Sequence, residues 1–473
     1  MRQHWPGPEA PASRTDLLGA AACGVVAALT LVLSRPGIGW LIAGLAVAGT
    51  AIGAAWEAGQ RRPQAGQLGW GLAALALLAV GAVRAEGWMF IYCVLGALLA
   101  GSLALAGGRT VPGLAAGMAA GTVAVIRSLD WALDGAQALR RPRADGARVG
   151  LAALAAVGLV AVFGTLLASA DPAFRTVLTG ASPHLDPAST ARAVFCFLAG
   201  GTAALATAYL TARRPAFDAM PALPTRPVKR VEWAVPLAAL DALFLVFAVV
   251  QLRVFLGGRW QGADYARYTR SGFWQLVAVT VLTLVVLAVA TRVAPREDRV
   301  LLRVLLGALA VLALVIVASA LLRLGRYEQA YGWTRLRVLV GAVEIWLGLL
   351  FVLVLAAGVR LRAGWLPRAT AGTAVAGLLV VALVGPDRFI ADRNVERYHR
   401  TGDIDLYYLS TLSADAVPAL DRLPPALRSC ALNDLADQLA SEHDDWRSWN
   451  LGRAQARAVI AAGERPSFLD CIH

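Results

Sequence analysis

The chain has 473 residues, of which 58% are hydrophobic and only 16% charged, with a formal net charge of +13. Soluble globular domains carry roughly 25% charged residues, so this composition excludes a soluble enzyme or scaffold. No basic, aromatic-interleaved patch on a polar segment points to nucleic acid. The apolar residues come in runs of the length needed to cross roughly 30 Å of hydrocarbon, which predicts an all-α, polytopic helical membrane protein in a lipid bilayer.

Along the chain, a short N-terminal tail (1–16) precedes a predicted transmembrane helical domain (17–386). About twelve transmembrane helices are expected, near 17–34, 39–56, 68–83, 89–106, 111–126, 149–169, 191–211, 233–256, 272–291, 300–322, 338–359 and 369–385. The first run ends in "SRPG" (Ser34–Gly37) without a small-x-small cleavage site, so it reads as a retained helix. Runs such as "GLAAGMAAGTVAV" and "LAALAAVGLVAV" offer small residues that let helix backbones approach closely. After Gly385-Pro386 the character changes. Residues 387–473 hold ten arginines and fourteen acids, with Asp403 and Ser413 as expected N-caps, Gly402 as a stop and Pro424 at a helix start. This predicts a small C-terminal soluble helical domain.

Alternation through twelve spans puts 18 loop and flanking basic residues on one side and 13 on the other. Positive charge stays cytoplasmic, so this reading makes both termini extracytoplasmic, on a multi-pass protein of the plasma membrane. Lys229 is the single lysine among 44 basic side chains, the usage of a GC-rich, for example actinobacterial, genome. Cys23, Cys93 and Cys196 lie in apolar runs. Cys430 and Cys471, alone in the tail, are a possible disulfide of an exported segment; two free thiols are the alternative.

Polar chemistry collects in the later outer loops. "DYARYTRSGFWQL" (Asp264–Leu276) offers Tyr265, Tyr268 and Arg270. "RLGRYEQAYGWTRLR" (Arg323–Arg337) offers Arg323, Tyr327 and Tyr331 at helical spacing on one face, with Arg326, Arg335 and Arg337 beside them. Guanidinium forks grip phosphate or carboxylate, so these nine residues form a candidate site for an anionic lipid, a polyprenyl phosphate or an acidic glycan. An interfacial belt of snorkelling arginines and headgroup-level tyrosines is the competing reading. Two acids, Asp241 and Glu344, fall inside spans, where carboxyl groups are costly and signal function or structural pairing. Arg253 or Arg323 could pair with Glu344, and Arg303 with Asp241. There is no HExxH, Walker or GxSxG motif and no Cys/His grouping, so neither a metal nor a cofactor is expected.

"EWAVPLAALDALFLVFAVVQ" (Glu232–Gln251), "YARYTRSGFWQL" (Tyr265–Leu276), "SALLRLGRYEQAYGWTRLR" (Ser319–Arg337) and "IADRNVERYHRTGDIDLYYLSTLSADAVPAL" (Ile390–Leu420) together resemble bacterial membrane proteins grouped as domain of unknown function 4173, relatives of the 4153 group. The resemblance implies no activity. The expectation is an outer-face binding protein without catalysis. A sensor or regulatory partner of an envelope protein, a transferase using a lipid-phosphate carrier, and a proton-coupled transporter are the alternatives.

Overall fold

In the computed structural model, the described residues are 5–57, 59, 65–139, 159, 163–164, 167, 171, 187–220, 228–256, 273–293, 298–360, 363–442 and 444–463. All the secondary structure among them is helical. In chain order the helices are α1 (Arg14–Thr30), α2 (Ile38–Glu57), α3 (Ala65–Val83), α4 (Gly87–Ala106), α5 (Val111–Ala138), α6 (Pro187–Ala212), α7 (Arg230–Leu256), α8 (Phe273–Val293), α9 (Arg299–Tyr331), α10 (Arg335–Arg360) and α11 (Leu366–Val384). The tail follows as α12 (Pro386–Thr401), α13 (Leu406–Ser410), α14 (Val417–Leu420), α15 (Pro425–Ser441) and α16 (Leu451–Ala462). Ten described helices, α2 to α11, are long and apolar enough to cross a membrane. The chain is therefore a polytopic helical membrane protein.

The described helices fall into two compact units. The first holds residues 1–108, 112–220 and 443–454. In lipid there is no hydrophobic drive between helices, so close packing of small residues decides which faces meet. α1 and α6 show this: Cys23 and Ala27 lie against Gly200, and Ala20, Cys23 and Ala204 are buried together. Ser13 starts α1 with a capping box, its Oγ accepting from the Asp16 amide while the Asp16 carboxylate accepts from the Ser13 amide. A second core, Trp5, Ala12, Ala106, Ala124, Trp131 and Tyr209 among its members, closes the end of this unit where α1 begins and α4 finishes.

The opposite end of the first unit is closed by a piece of the tail. Asn450 Nδ2 donates to the Gly81 and Arg84 carbonyls at the end of α3 (2.8 and 2.7 Å). The α2 amides Ile38 and Gly39 donate to the carbonyls of Trp449 and Arg447 (3.1 and 2.9 Å). One tail segment thus satisfies orphan groups at two helix ends. Arg453 holds the segment in shape. Its Nε reaches both oxygens of Asp444 at 3.0 Å, and its Nη2 donates to the carbonyls of Pro36 (3.0 Å) and Ser448.

The second unit holds residues 109–111, 221–442 and 455–473. Its core is a four-helix packing of α7, α8, α9 and α10 around Trp233, Phe244, Leu287, Leu309, Ile316 and Phe351. Gly385 (φ 77°) lets the chain turn from α11 straight into α12, and Gly402 (φ 77°) ends α12 as its position suggests. The cap of α13 is Asp405, which accepts from the Tyr408 amide at 2.9 Å; Asp403, the expected cap, instead faces Arg397. Pro424 does precede a helix, α15.

Candidate functional site

The α9–α10 turn is where the sequence concentrates arginine and tyrosine. α9 runs on to Tyr331 and stops at Gly332 (φ 78°), a conformation that disfavours any residue with a Cβ. A helix end leaves carbonyls without partners, and two guanidinium groups supply them here. Arg397 of α12 donates from Nε to the Gln329 carbonyl (3.2 Å) and from Nη2 to that of Ala330 (2.9 Å). Arg337 reaches back to the Tyr331 carbonyl (3.1 Å) and to that of Gly332. Its guanidinium also lies 4.5 Å from the Tyr327 ring centroid, and Tyr327 in turn packs 4.8 Å from Tyr331.

The next residues are tied to the tail with equal completeness. Asn394 pairs with Trp333 as a strand would: its Oδ1 accepts from the Trp333 amide and its Nδ2 donates to the Trp333 carbonyl, both at 3.0 Å. Trp333 packs edge-on to Phe389 with centroids 5.0 Å apart. Arg335 makes a two-pronged bond to Asp387, Nε to Oδ1 and Nη2 to Oδ2, each 2.7 Å. The Asp387 side chain is wholly buried, whereas that of Arg335 is 31% exposed. Asp387 also accepts from the Ser413 amide (2.8 Å), and the Arg335 amide donates to the Tyr408 hydroxyl (2.7 Å). Burial pushes the Tyr408 hydroxyl above the usual tyrosine range, against the opposing effect of Arg335. What space is left between Tyr331, Trp333, Asn394, Arg397 and Tyr408 is a cavity of about 30 Å³, room for one water.

The predicted residues therefore divide. Arg335, Arg337, Tyr327 and Tyr331 come together at the turn, with the first two engaged by the tail and by the helix end. Arg323 lies on the same helix but points inward. It is 6% exposed, and its Nη2 donates to Gln251 Oε1 of α7 at 2.7 Å, an oxygen that also accepts from Ser319 Oγ. Arg326 is exposed. Tyr265, Tyr268 and Arg270 lie outside the described residues, as does Cys471. Cys23, Cys93 and Cys196 are buried free thiols.

The intramembrane acids are not paired as expected. Among the described residues, neither carboxyl oxygen of Asp241 or Glu344 has a hydrogen-bond partner, and Glu344 is 0% exposed. Arg323 is hydrogen-bonded to Gln251 instead of Glu344, because the uncharged amide stands across from it on α7. The sequence reading missed Asp387, Asn394, Arg397 and Tyr408, whose helical surroundings gave no local sign of partners more than fifty residues away. Asn394, Arg397 and Tyr408 did carry one signal: all three sit inside a motif of the resemblance.

A bundle of apolar helices whose polar tail is bonded into its helix ends defines a class, a multi-pass membrane protein with an ordered end-cap. Within that class the chain belongs to the family described as Domain of unknown function (DUF4153), whose model matches residues 72–423. The match is to the 4153 group, the relative of the 4173 group to which the motifs were likened; membership of the 4173 group is not shown. The matched region contains Arg335, Asp387, Asn394 and Arg397 and stops before Asn450 and Arg453. No curated protein and no solved structure matches the chain.

Proposed function

We propose that this is a non-catalytic binding protein of the plasma membrane. Its tail-locked α9–α10 turn forms a fixed platform for an anionic group of the cell envelope, a lipid headgroup or a polyprenyl phosphate. The observation that carries the reading is the division of labour among the arginines. Arg335 and Arg337 hold the platform together, while Arg326 is exposed at its rim with Tyr331, which is 54% exposed, and Tyr407, 85% exposed, stands on α13 of the same unit. An exposed guanidinium and exposed phenolic hydroxyls in one unit suit a phosphate held at headgroup depth. On this reading the tail is extracytoplasmic and Cys430 pairs with Cys471.

Native mass spectrometry of the protein from mild detergent tests it. Retained anionic lipid should fall several-fold in Arg326→Ala and Tyr331→Ala. Unchanged retention in both variants refutes the phosphate site. A second reading, proton-coupled transport, is favoured by Glu344 alone, a wholly buried carboxyl with no bonded oxygen. It requires a path to water, so dicyclohexylcarbodiimide should label Glu344 in the bilayer; absence of label counts against transport.

A further inference from the structure

We infer that α5 does not cross the membrane: it lies in the interfacial plane across the end of the first unit where α1 begins, so the chain crosses eleven times and places that end inside and the tail outside. The contacts of α5 carry this. Near its start, Ser102 Oγ of α4 donates to the Gly117 carbonyl (2.5 Å) and accepts from the Gly121 amide (2.8 Å). Near its finish, Trp131 Nε1 donates to the Ala10 carbonyl (2.8 Å), and the Ala12 amide donates to the Trp131 carbonyl (3.4 Å). Ala10 and Ala12 immediately precede the N-cap of α1, and Ala12 shares one core with Ala106, the last residue of α4. Both halves of α5 therefore touch the same end of the bundle. Gly117 and Trp131 are fourteen residues apart, about 21 Å along a helix; in a crossing helix Trp131 would sit deep in the hydrocarbon or beyond it.

The rest of the chain gives an independent count. The tail caps α3 at Gly81 and Arg84 through Asn450, and meets the α9–α10 turn through Arg335 and Asp387. Among the described residues the longer tail helices carry charges along their length, from Asp387 to Arg400 in α12 and at Arg428, Asp434 and Asp437 in α15, so they do not cross and the tail stays on one side. An even number of crossings must then separate Arg84 from Pro386. Helices α4, α6, α7, α8, α9, α10 and α11, together with the apolar run 149–169 counted from its sequence alone, make eight. Adding α5 would make nine.

Charge then decides which side is inside. Against the twelve-span alternation, Arg2, Arg14, Arg61, Arg62 and Arg109 move to one side while Arg35 and Arg84 move to the other. The tally of basic residues changes from 18 against 13 to 21 against 10, a stronger inside bias obtained without using it. Residues preceding α1 become cytoplasmic, and the tail stays outside. The exposed residues Ile126, Leu129 and Leu133 give α5 an apolar stripe for the acyl–headgroup boundary of the cytoplasmic leaflet.

Single cysteines in the full chain, with the native cysteines replaced, test this by impermeant-maleimide labelling of intact and permeabilised cells. Thr110→Cys and Gln137→Cys flank or end α5 and are exposed, as are Ser34→Cys and His399→Cys. The expected result is protection of the first two until permeabilisation and labelling of the last two in intact cells. Opposite behaviour of Thr110→Cys and Gln137→Cys overturns the in-plane assignment. Labelling both in intact cells, or protection of Ser34→Cys while His399→Cys reacts, overturns the sidedness.

Discussion

Removing Arg335 should release the tail from the α9–α10 turn more completely than removing Asp387, although the two share one ion pair. The asymmetry follows from exposure. Arg335→Ala takes the guanidinium from a wholly buried carboxylate that the Ser413 amide also bonds, and breaking a buried pair this way costs about 3–5 kcal/mol. Asp387→Ala leaves a guanidinium that is already 31% exposed and still bonds the Thr411 carbonyl at 3.1 Å. That charge can rehydrate, so the cost falls to about 2–3 kcal/mol, much of it the stranded Ser413 amide. The double variant should resemble Asp387→Ala, well short of the sum, giving a coupling about equal to the cost of Arg335→Ala alone, about 3–5 kcal/mol.

Hydrogen exchange of the full-length protein in detergent reads this directly, because each 1.4 kcal/mol is tenfold in the open population. Amides in 386–401 and 333–337 should exchange on the order of 100- to 4,000-fold faster in Arg335→Ala, and about 30- to 140-fold faster in Asp387→Ala. Amides of α1 to α4 should not change. Equal effects of the two single variants, or simple additivity in the double, would refute the buried-pair argument.

Four further outcomes can be measured. Gly332→Ala should cost about 2–4 kcal/mol, since the residue has φ 78° and a Cβ there would approach Asn394 Oδ1 to 2.5 Å; Asn394→Ala should lose about 2–3 kcal/mol with its three hydrogen bonds, both measurable by thermal unfolding. Burial pushes the Asp445 carboxyl up, but bonds from the Arg447 side chain and from the Ser448 amide and hydroxyl outweigh it and hold it down at about 2. Its contribution to the segment capping α2 and α3 is therefore present above the unfolded value of about 4 and lost as pH falls toward 2, and Asp445→Asn should flatten that acid limb in exchange at 444–453. If Cys430 and Cys471 are bonded as proposed, reducing them should lower tail stability by roughly 2–4 kcal/mol, and a thiol-alkylation mass shift should appear only after reduction.

Much of this fold is written locally. Span length and apolarity predict about twelve helices, of which eleven coincide with α1 to α11 while the run 149–169 lies largely outside the described residues, and Gly332, Gly385 and Gly402 mark stops that the backbone uses. The arginine and tyrosine density at 323–337 falls on the turn that the tail binds, although Arg323 points inward to Gln251. What local pattern could not give was the identity of the partners. A guanidinium reads the same whether it will meet a phosphate, a helix-end carbonyl or a carboxylate fifty residues later, and Arg337, Arg397 and Arg335 took the last two. Asn450 and Arg453 are further still from legibility, because their partners include backbone carbonyls at Gly81, Arg84 and Pro36 and any sequence supplies those.

On the in-plane assignment inferred above, the span-like sequence of α5 has a physical origin that bears on how the helix runs. Its first half, Val111 to Ile126, is small and apolar enough to pass for a span, and Gly113, Gly117, Ala120 and Ala124 make a buried stripe down one side. The second half carries Arg127, Asp130 and Asp134, one every three or four residues. In a crossing helix these would descend through the hydrocarbon, where each charge costs about 2.5–3.5 kcal/mol near the centre. Across the end of the bundle, Asp130 and Asp134 reach the surface, and Arg127 donates to the Trp5 carbonyl while covering the Trp5 ring at 4.6 Å. The small-residue stripe that suits a transmembrane interface suits this crossing as well, since close backbone approach is all it supplies. Which way a Gly/Ala-rich helix runs is then set by where its charges must end up, and in α5 they keep both of its ends at one surface.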